Sequence, residues 1–537
     1  MNQFLNKMST KNTFTWNGAI SNSSSGNSCL DYFAKCGSYR FRSCEEVNAD
    51  IASIFGENPL TAMKIVFYNR MITRKPKGFN NESDNLQKGQ GQRDECIKSL
   101  AWLENNHPEI LYKNLWLVPV VGRWSDLWYD SPSSKFYYYI NSQKVYELIK
   151  SGLKSDYHRP LIAKYLPKIR SKRNITNDRH RRLNTFAKGL CSYLGWSEAD
   201  YRKFKSGPIN RAHLYQRFMC ANAWTDLDFN MIPGKALFNL LNRTGKDFQN
   251  ALQRHNMEEK YIEWIKTQPV AKFTGYPYEL YQAAKCRKNL AQTYTLNRQF
   301  EGLLEKAKNS ISPELLKRGV LCALDTSGSM CVDYCMTTLG CPAPIDICVG
   351  LGLYFSNLIE GHFKNHVIMF DDNSRFLKLN GNFCEQVDQI NEEATAWGGT
   401  NFQSVINEIV RVRRQNPKIP VEDYPEVLLV VSDMEFNPTG TNKTNYENAM
   451  RKLRNVGLPN MTIIWWQVNG RFTGDVPSTI SDPGTVLISG FDGAIVTTIL
   501  SGMEKVVDKT TGETRSKTPD EVMMECLDQE ILNKIQI

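Results

Sequence analysis

The sequence predicts an α + α/β chain, with a helical solenoid first and a Rossmann-like α/β domain with a mostly parallel sheet after it. Three observations carry this. At 537 residues the chain is too long for one core. Short amphipathic runs with helical spacing and Pro or Gly joints fill its N-terminal half. Near Arg318 the pattern changes to apolar, strand-like runs alternating with helical ones. The expected parts are a flexible N-terminal arm (1–27), a helical-repeat module (28–315), an α/β domain (316–505), and a polar linker with a C-terminal helix (506–537).

The arm ends in "SNSSSGNS", a composition too polar to build a core. Helical spacing begins at "LTAMKIVFYNRMIT" and continues through "RDECIKSLAWLENNHPEILYKNLWLVPVVGRWSDLWY", with breaks at His107-Pro108 and Val118-Pro119. Further short helices are expected over 160–170, 180–195, 210–222, 234–254 and 257–266. Many short helices with brief joints read as a solenoid, although no strict sequence period is present. In the second half, strands are expected at 320–325, 365–370, 375–379, 426–433, 461–468 and 485–490. Helices are expected at 345–360, 402–414, 443–456 and 492–503. Fully apolar strands of this kind belong to a mostly parallel sheet, whose ligands bind at the carboxyl ends of the strands.

No run approaches the ~18 apolar residues of a membrane span, and the N-terminus lacks the apolar core of a signal peptide. The expectation is a cytoplasmic protein with no membrane partner. Its fourteen cysteines are scattered through helical and strand-like stretches, which fits reduced thiols. The net charge of +10 is unevenly placed: residues 151–190 hold eleven Lys/Arg against two Asp, a local +9. A concentrated charge of this kind points to an anionic partner, nucleic acid first. The candidate contacts are Lys164, Lys168, Arg170, Lys172, Arg173, Arg179, His180, Arg181 and Arg182. They would meet backbone phosphates without base specificity. Neighbouring aromatics (Tyr165, Phe186, Tyr193, Trp196, Tyr201) suit base stacking or, more commonly, a core. The loop "KGQGQRDE" (88–95), with Arg93 and Asp94 opening a helix, reads equally as a ligand contact or an ordinary N-cap.

Chemistry concentrates in the second half. "VLCALDTSGSM" ends an apolar strand at Asp325 and follows it with Ser327 and Ser329 in D-x-S-x-S spacing. "AWGGTN" places Thr400 behind a flexible Gly398-Gly399 pair, and "EVLLVVSDMEF" ends another strand at Asp433. D-T-S alone is commonly a helix cap or turn. Three such loops at one sheet edge instead offer carboxylate and hydroxyl oxygens, the ligands of Mg²⁺ or Mn²⁺. A serine nucleophile is disfavoured, because this region holds only His362 and His366 and lacks a G-x-S-x-G elbow and a phosphate-cradling G-x-x-x-x-G-K-[ST] loop. Cys331, Cys335, Cys341 and Cys348 follow no zinc spacing and read as small buried residues beside a tight loop.

"DTSGSM", "GGTN" and "VVSDMEF" resemble the three motif loops of the von Willebrand factor A domain. Asp325, Ser327, Ser329, Thr400 and Asp433 match that family's metal-ion-dependent adhesion site position by position. The resemblance implies metal-dependent binding through an open coordination position that an acidic group fills. The helical half resembles the TROVE module of the Ro ribonucleoprotein family, and the bacterial and phage-type relatives of unknown activity most of all. The resembling segments are "LTAMKIVFYNRMITR", "GQGQRDECIKSLAWLENNHPE", "NLWLVPVVGRWSDLWY", "KYLPKIRSKRN" and "MCANAWTDLDFNMIP". It implies HEAT-like repeats that close into a ring, with structured small noncoding RNA outside and single-stranded RNA through the hole. The expected function is therefore a non-enzymatic RNA-binding scaffold. Its main rival is a protein-interaction adaptor whose A domain recruits a partner such as an AAA-type ATPase, with the basic stretch meeting an acidic protein. A metal-dependent nuclease built on Asp325 and Asp433 is weaker, since two-metal hydrolysis uses more carboxylates.

Overall fold

The computed structural model describes residues 12–40, 42–72, 87–130, 136–211, 215–242, 246–268, 273–309, 311–331, 342–393, 398–469, 476–495, 500, 505–507 and 512–537. The chain forms two compact units: Met1–Tyr39 with Leu214–Cys526, and Arg40–His213 with Leu527–Ile537. No unit boundary falls at 315.

The expected arm is a correction. Residues 1–11 lie outside the described residues, but β1 (Asn12–Phe14) and β2 (Ile20–Asn22) pair antiparallel as a hairpin. Its turn closes through Thr15 N donating to Ala19 O (2.9 Å), with Gly18 at φ +85°. Asn22 and Val476 exchange backbone hydrogen bonds (3.3 and 2.9 Å). Asp31 accepts from Ser24 Oγ (2.5 Å) and Ser25 N (2.7 Å), and Asn27 caps the helix Ser28–Cys36. Polar residues are thus ordered by satisfied hydrogen bonds rather than by apolar burial, which a composition-based reading does not register.

The smaller unit stacks short helices, each against its chain neighbours. Cys44–Glu57 starts from a Ser43/Glu46 capping box, and Pro59–Arg70 from an Asn58 cap with Pro59 in its first turn. Asp94–Asn106 packs on both. Loop 88–92 folds back on the end of Pro59–Arg70, with Gln90 N, Gly91 N and Gln92 N bonded to the carbonyls of Tyr68, Met71 and Asn69. Gly89 is required there, since a Cβ would lie 2.3 Å from Tyr68 O. Arg93 is directed inward, onto Asp126 Oδ1 (2.7 Å) and Ser125. The ordinary structural account of this loop therefore holds for Arg93. A ribbon of β3 (Trp128–Asp130) and β4 (Tyr137–Tyr139) follows, then helices Ser142–Gly152, His158–Tyr165, Asp178–Leu194 and Glu198–Arg211.

In the larger unit six strands form one sheet: β5 (Val320–Asp325), β6 (His366–Phe370), β7 (Ser374–Lys378), β8 (Val427–Ser432), β9 (Thr462–Gln467) and β10 (Thr485–Ser489). The order is β10-β9-β8-β5-β6-β7, parallel except for the edge strand β7. All six expected strands are present, and β5 and β8 are buried along their whole length. The chain runs from β5 to one side, then returns to β8 on the other, so the order reverses between β5 and β8. In open α/β sheets that reversal opens a crevice at the carboxyl ends of the strands. Helix Pro344–Leu358 covers one face, where its Gly352 leaves room for Leu324. Gly350 admits the backbone of Tyr278, which lies 2.7 Å from where a Cβ would stand. That close approach, with Lys285 and Gln282 on Asp346 (3.0 and 2.8 Å), joins helix Pro277–Lys285 to the sheet's cover. This is why the helices just before 315 belong with the sheet. A helix at Phe383–Glu393, not expected from the sequence, completes this side, whereas the expected helix 492–503 lies largely outside the described residues. No helix among the described residues is long and apolar enough to cross a membrane, and the described cysteines are free thiols.

Candidate metal centre and cationic surface

The β5/β8 register aligns Leu324 with Val431, so Asp325 and Asp433 leave adjacent strands at the reversal point. Asp325 is held at both oxygens: Ser327 N donates to Oδ1 (2.9 Å) and Ser432 Oγ to Oδ2 (2.5 Å). Ser327 Oγ and Ser329 Oγ lie 3.1 Å apart, and the Thr326 hydroxyl turns away to the Phe370 carbonyl (3.2 Å). Thr400 is delivered by loop stitching. Gly328 N donates to Gly398 O (3.1 Å), Asn437 N to Thr400 O (2.8 Å), and Thr400 N to Asn437 Oδ1 (3.2 Å). The Gly398-Gly399 pair, expected for flexibility, is needed for room. A Cβ at Gly398 would lie 2.5 Å from Asp372 Oδ2, and one at Gly399 2.7 Å from Asn437 Nδ2. Past Asp433 the chain turns through Met434 at φ +67°, an unfavourable conformation for a side-chain-bearing residue. Ser432 Oγ, accepting from Met434 N at 2.9 Å, holds that turn.

Both carboxyls are fully buried. Burial pushes each above the usual carboxylate range, and for Asp325 the charge of Asp433 adds to it. Asp433 Oδ1 accepts from Glu435 N (3.2 Å) and the nearby Ser329 hydroxyl works against the upward push of burial, whereas Asp433 Oδ2 is buried with no hydrogen-bond partner among the described residues. Two neighbouring buried carboxylates with one orphaned oxygen form an arrangement that a cation would satisfy. The hydroxyls of Ser327, Ser329 and Thr400 beside them make this a hard-oxygen donor set, which fits Mg²⁺ or Mn²⁺. No group of three or more His, Cys, Asp or Glu among the described residues is placed to hold a metal, so any cation here relies on mixed carboxylate and hydroxyl donors. Sequence reasoning did not find Ser432, Asn437, Asp372 or Glu435. Ser432 carried a signal, as a hydroxyl at the end of an otherwise apolar strand. Of the cysteine group, Cys348 is buried, donating to Val431 O (3.2 Å), and Cys331 is half-buried. Cys335 and Cys341 lie outside the described residues.

In the smaller unit the basic run divides in two. Arg182 grips the buried Asp130 through two bonds (2.8 and 3.0 Å) and lies 3.7 Å from the Tyr137 ring centroid, while Arg179 Nε donates to Asp130 O (2.8 Å). Arg181 pairs with Asp178 on the same helix. His180 is held below its ordinary pKa by desolvation and then by the charges of Arg170 and Arg179. Lys164 sits 5.4 Å from the Tyr165 ring centroid. Lys168, Arg170, Lys172 and Arg173 pair with no carboxylate among the described residues, and all but the half-buried Arg170 are exposed. Among the aromatics, Phe186 and Tyr201 are core, Phe186 against Trp128 and Tyr201 bonded to Pro167 O (2.8 Å). Arg182→Ala is therefore expected to cost about 1–3 kcal/mol, read by urea denaturation, while Lys172→Ala leaves the midpoint unchanged. Equal effects would contradict this division.

Comparison with known proteins gives two family models, each described as a domain of unknown function. DUF2828 matches residues 15–187 and DUF7788 matches residues 320–534. The chain is also 21% identical over 533 residues to the uncharacterized protein L728 of Acanthamoeba polyphaga mimivirus, covering 92% of this chain and 85% of that protein. The first match takes in the hairpin's turn and second strand and the nine candidate contacts of the basic run, the second the sheet with all five candidate ligands.

Proposed function

We propose that this protein is a non-enzymatic RNA-binding scaffold whose α/β part, a von Willebrand factor A-like domain, binds Mg²⁺ or Mn²⁺ through Asp325, Ser327, Ser329, Thr400 and Asp433. The observation that carries the cation reading is the convergence of three loops on the strand-order reversal, with Asp433 Oδ2 left without a hydrogen-bond partner among the described residues. The resemblance of the helical half to the Ro family supports the RNA reading. So does the patch of Lys168, Arg170, Lys172 and Arg173, cations not consumed by internal ion pairs. Scaffolding needs no chemistry at the cation, which orders three loops and presents a positive centre to an acidic group.

Gel-shift titration of the whole protein with single-stranded and hairpin RNA tests the RNA half. Lys168→Glu, Arg170→Glu, Lys172→Glu and Arg173→Glu combined should weaken binding at least about tenfold at low salt. They should also flatten the log–log salt dependence by a slope of up to about 3, four contacts at ~0.7 each on a single strand. A wild-type protein that shifts neither RNA at low salt would transfer the patch to an acidic protein partner and favour the adaptor reading.

A further inference from the structure

The five candidate ligands are closed off more completely than an adhesion-type contact requires. Asp325 and Asp433 are 0% exposed, Ser327 and Thr400 1%, and of the five only Ser329 is half-buried. The turn of the N-terminal hairpin lies against these loops. Thr15 Oγ1 donates to Phe436 O (2.7 Å), Trp16 N to the Glu435 carboxylate (2.5 Å), and Asn17 Nδ2 to Glu435 O (2.5 Å). Asn17 Nδ2 also reaches Thr400 Oγ1, at 3.4 Å. Glu435 and Phe436 lie two and three residues past Asp433, so two of the three candidate ligand loops are touched by a segment more than 380 residues earlier in the chain.

We propose that the N-terminal hairpin is a built-in cap on the cation site, with Asn17 as the residue that positions Thr400. This rests on the reading of these loops as a cation site. A threonine hydroxyl has two lone pairs and one proton. An Asn17 N–H on one lone pair leaves the other for the cation. The same side chain, tied to Glu435 O, holds the hairpin over the side from which an outside carboxylate would approach. An acidic partner then reaches the cation only where the hairpin gives way, and the loop sequence alone does not make the site adhesive.

The test uses the full-length protein with Mn²⁺ alone, following water-proton relaxation and hydrogen exchange of the peptide spanning residues 12–22. The Thr15→Val, Asn17→Ala double variant removes three of the four hydrogen bonds between the hairpin's turn and the candidate ligand loops. It should exchange faster in that peptide, bind Mn²⁺ a few-fold more weakly, and raise the relaxation enhancement about twofold as water reaches the ion. Asn17→Asp, which places a carboxylate there, should bind Mn²⁺ on the order of tenfold more tightly. Faster exchange with wild-type relaxation would show that the hairpin shields nothing. Unchanged exchange would show that these bonds do not hold it. Unchanged affinity in Asn17→Asp would remove Asn17 from the site. Each of these overturns the cap alone. Mn²⁺ binding that survives Asp433→Ala would overturn the cation reading beneath it.

Discussion

Asp433→Ala should abolish Mn²⁺ binding by the whole protein, a loss of at least about a hundredfold, and should leave the metal-free protein no less stable than wild type. The two halves of this result follow from one observation. In the metal-free state Asp433 is a fully buried carboxyl beside Asp325, with one oxygen unbonded and with burial pushing its pKa up. A charged group so placed costs the fold stability unless something compensates it. Removing it relieves repulsion with Asp325 and removes the orphaned oxygen, so the melting temperature in EDTA should hold or rise. With saturating Mn²⁺ the wild type alone should gain stability, since only it has a ligand that favours the native state. Calorimetric Mn²⁺ titration and paired melts with and without the ion read both halves. A variant destabilised equally in EDTA and Mn²⁺ would make Asp433 an ordinary structural residue.

The second large effect lies in the smaller unit. Asp126→Ala should cost about 3–5 kcal/mol, the range for stripping the partner from a buried charge. Asp126 is fully buried, and its Oδ2 accepts from Arg70 Nε and Nη2 (2.8 and 2.7 Å) and from Arg123 N (2.9 Å). Its Oδ1 accepts from Arg93 Nε (2.7 Å). Arg70 is itself 2% exposed, so the variant leaves a guanidinium in the core with no ion-pair partner among the described residues. Gly122 beside it has no room for a side chain: a Cβ would lie 2.4 Å from Asp126 Oδ2. Urea unfolding of the variant, with hydrogen exchange across Pro59–Arg70, measures the loss. A change below about 1 kcal/mol would mean that water replaces the carboxylate at both arginines.

The candidate ligands were legible because each follows a strand that is apolar on both faces, and such strands announce themselves in the sequence. β5 and β8 fall where "VLCALD" and "VLLVVS" place them. The edge strand β7 was legible too, as a short run after β6, although its antiparallel direction was not. What supports the ligands was not readable. Ser432, Asn437 and Asp372 act through contacts across 27 to 107 residues, as in Gly399 N to Asp372 Oδ1 and Ser432 Oγ to Asp325 Oδ2. Ser432 is marked locally only as a hydroxyl ending an apolar strand, and nothing in the local sequence of Asn437 or Asp372 differs from an ordinary loop. Likewise, charge counting found the basic run but could not divide it. Arg182 is internal because Asp130, 52 residues earlier, is buried beneath it.

By itself the sequence determined the α/β alternation, the strands and the three oxygen-bearing loops, because hydrophobic period and strand-end residues are local properties. Only the tertiary structure decided which cations face solvent, where the compact units divide, and that a Ser/Asn-rich N-terminus lies over the ligand loops. Those outcomes depend on hydrogen bonds and close backbone approaches between distant segments. The pairing of Asn17 with Thr400 and the packing of Gly350 on Tyr278 are two of them. Their energy resides in the pair, and neither partner carries a mark of it alone.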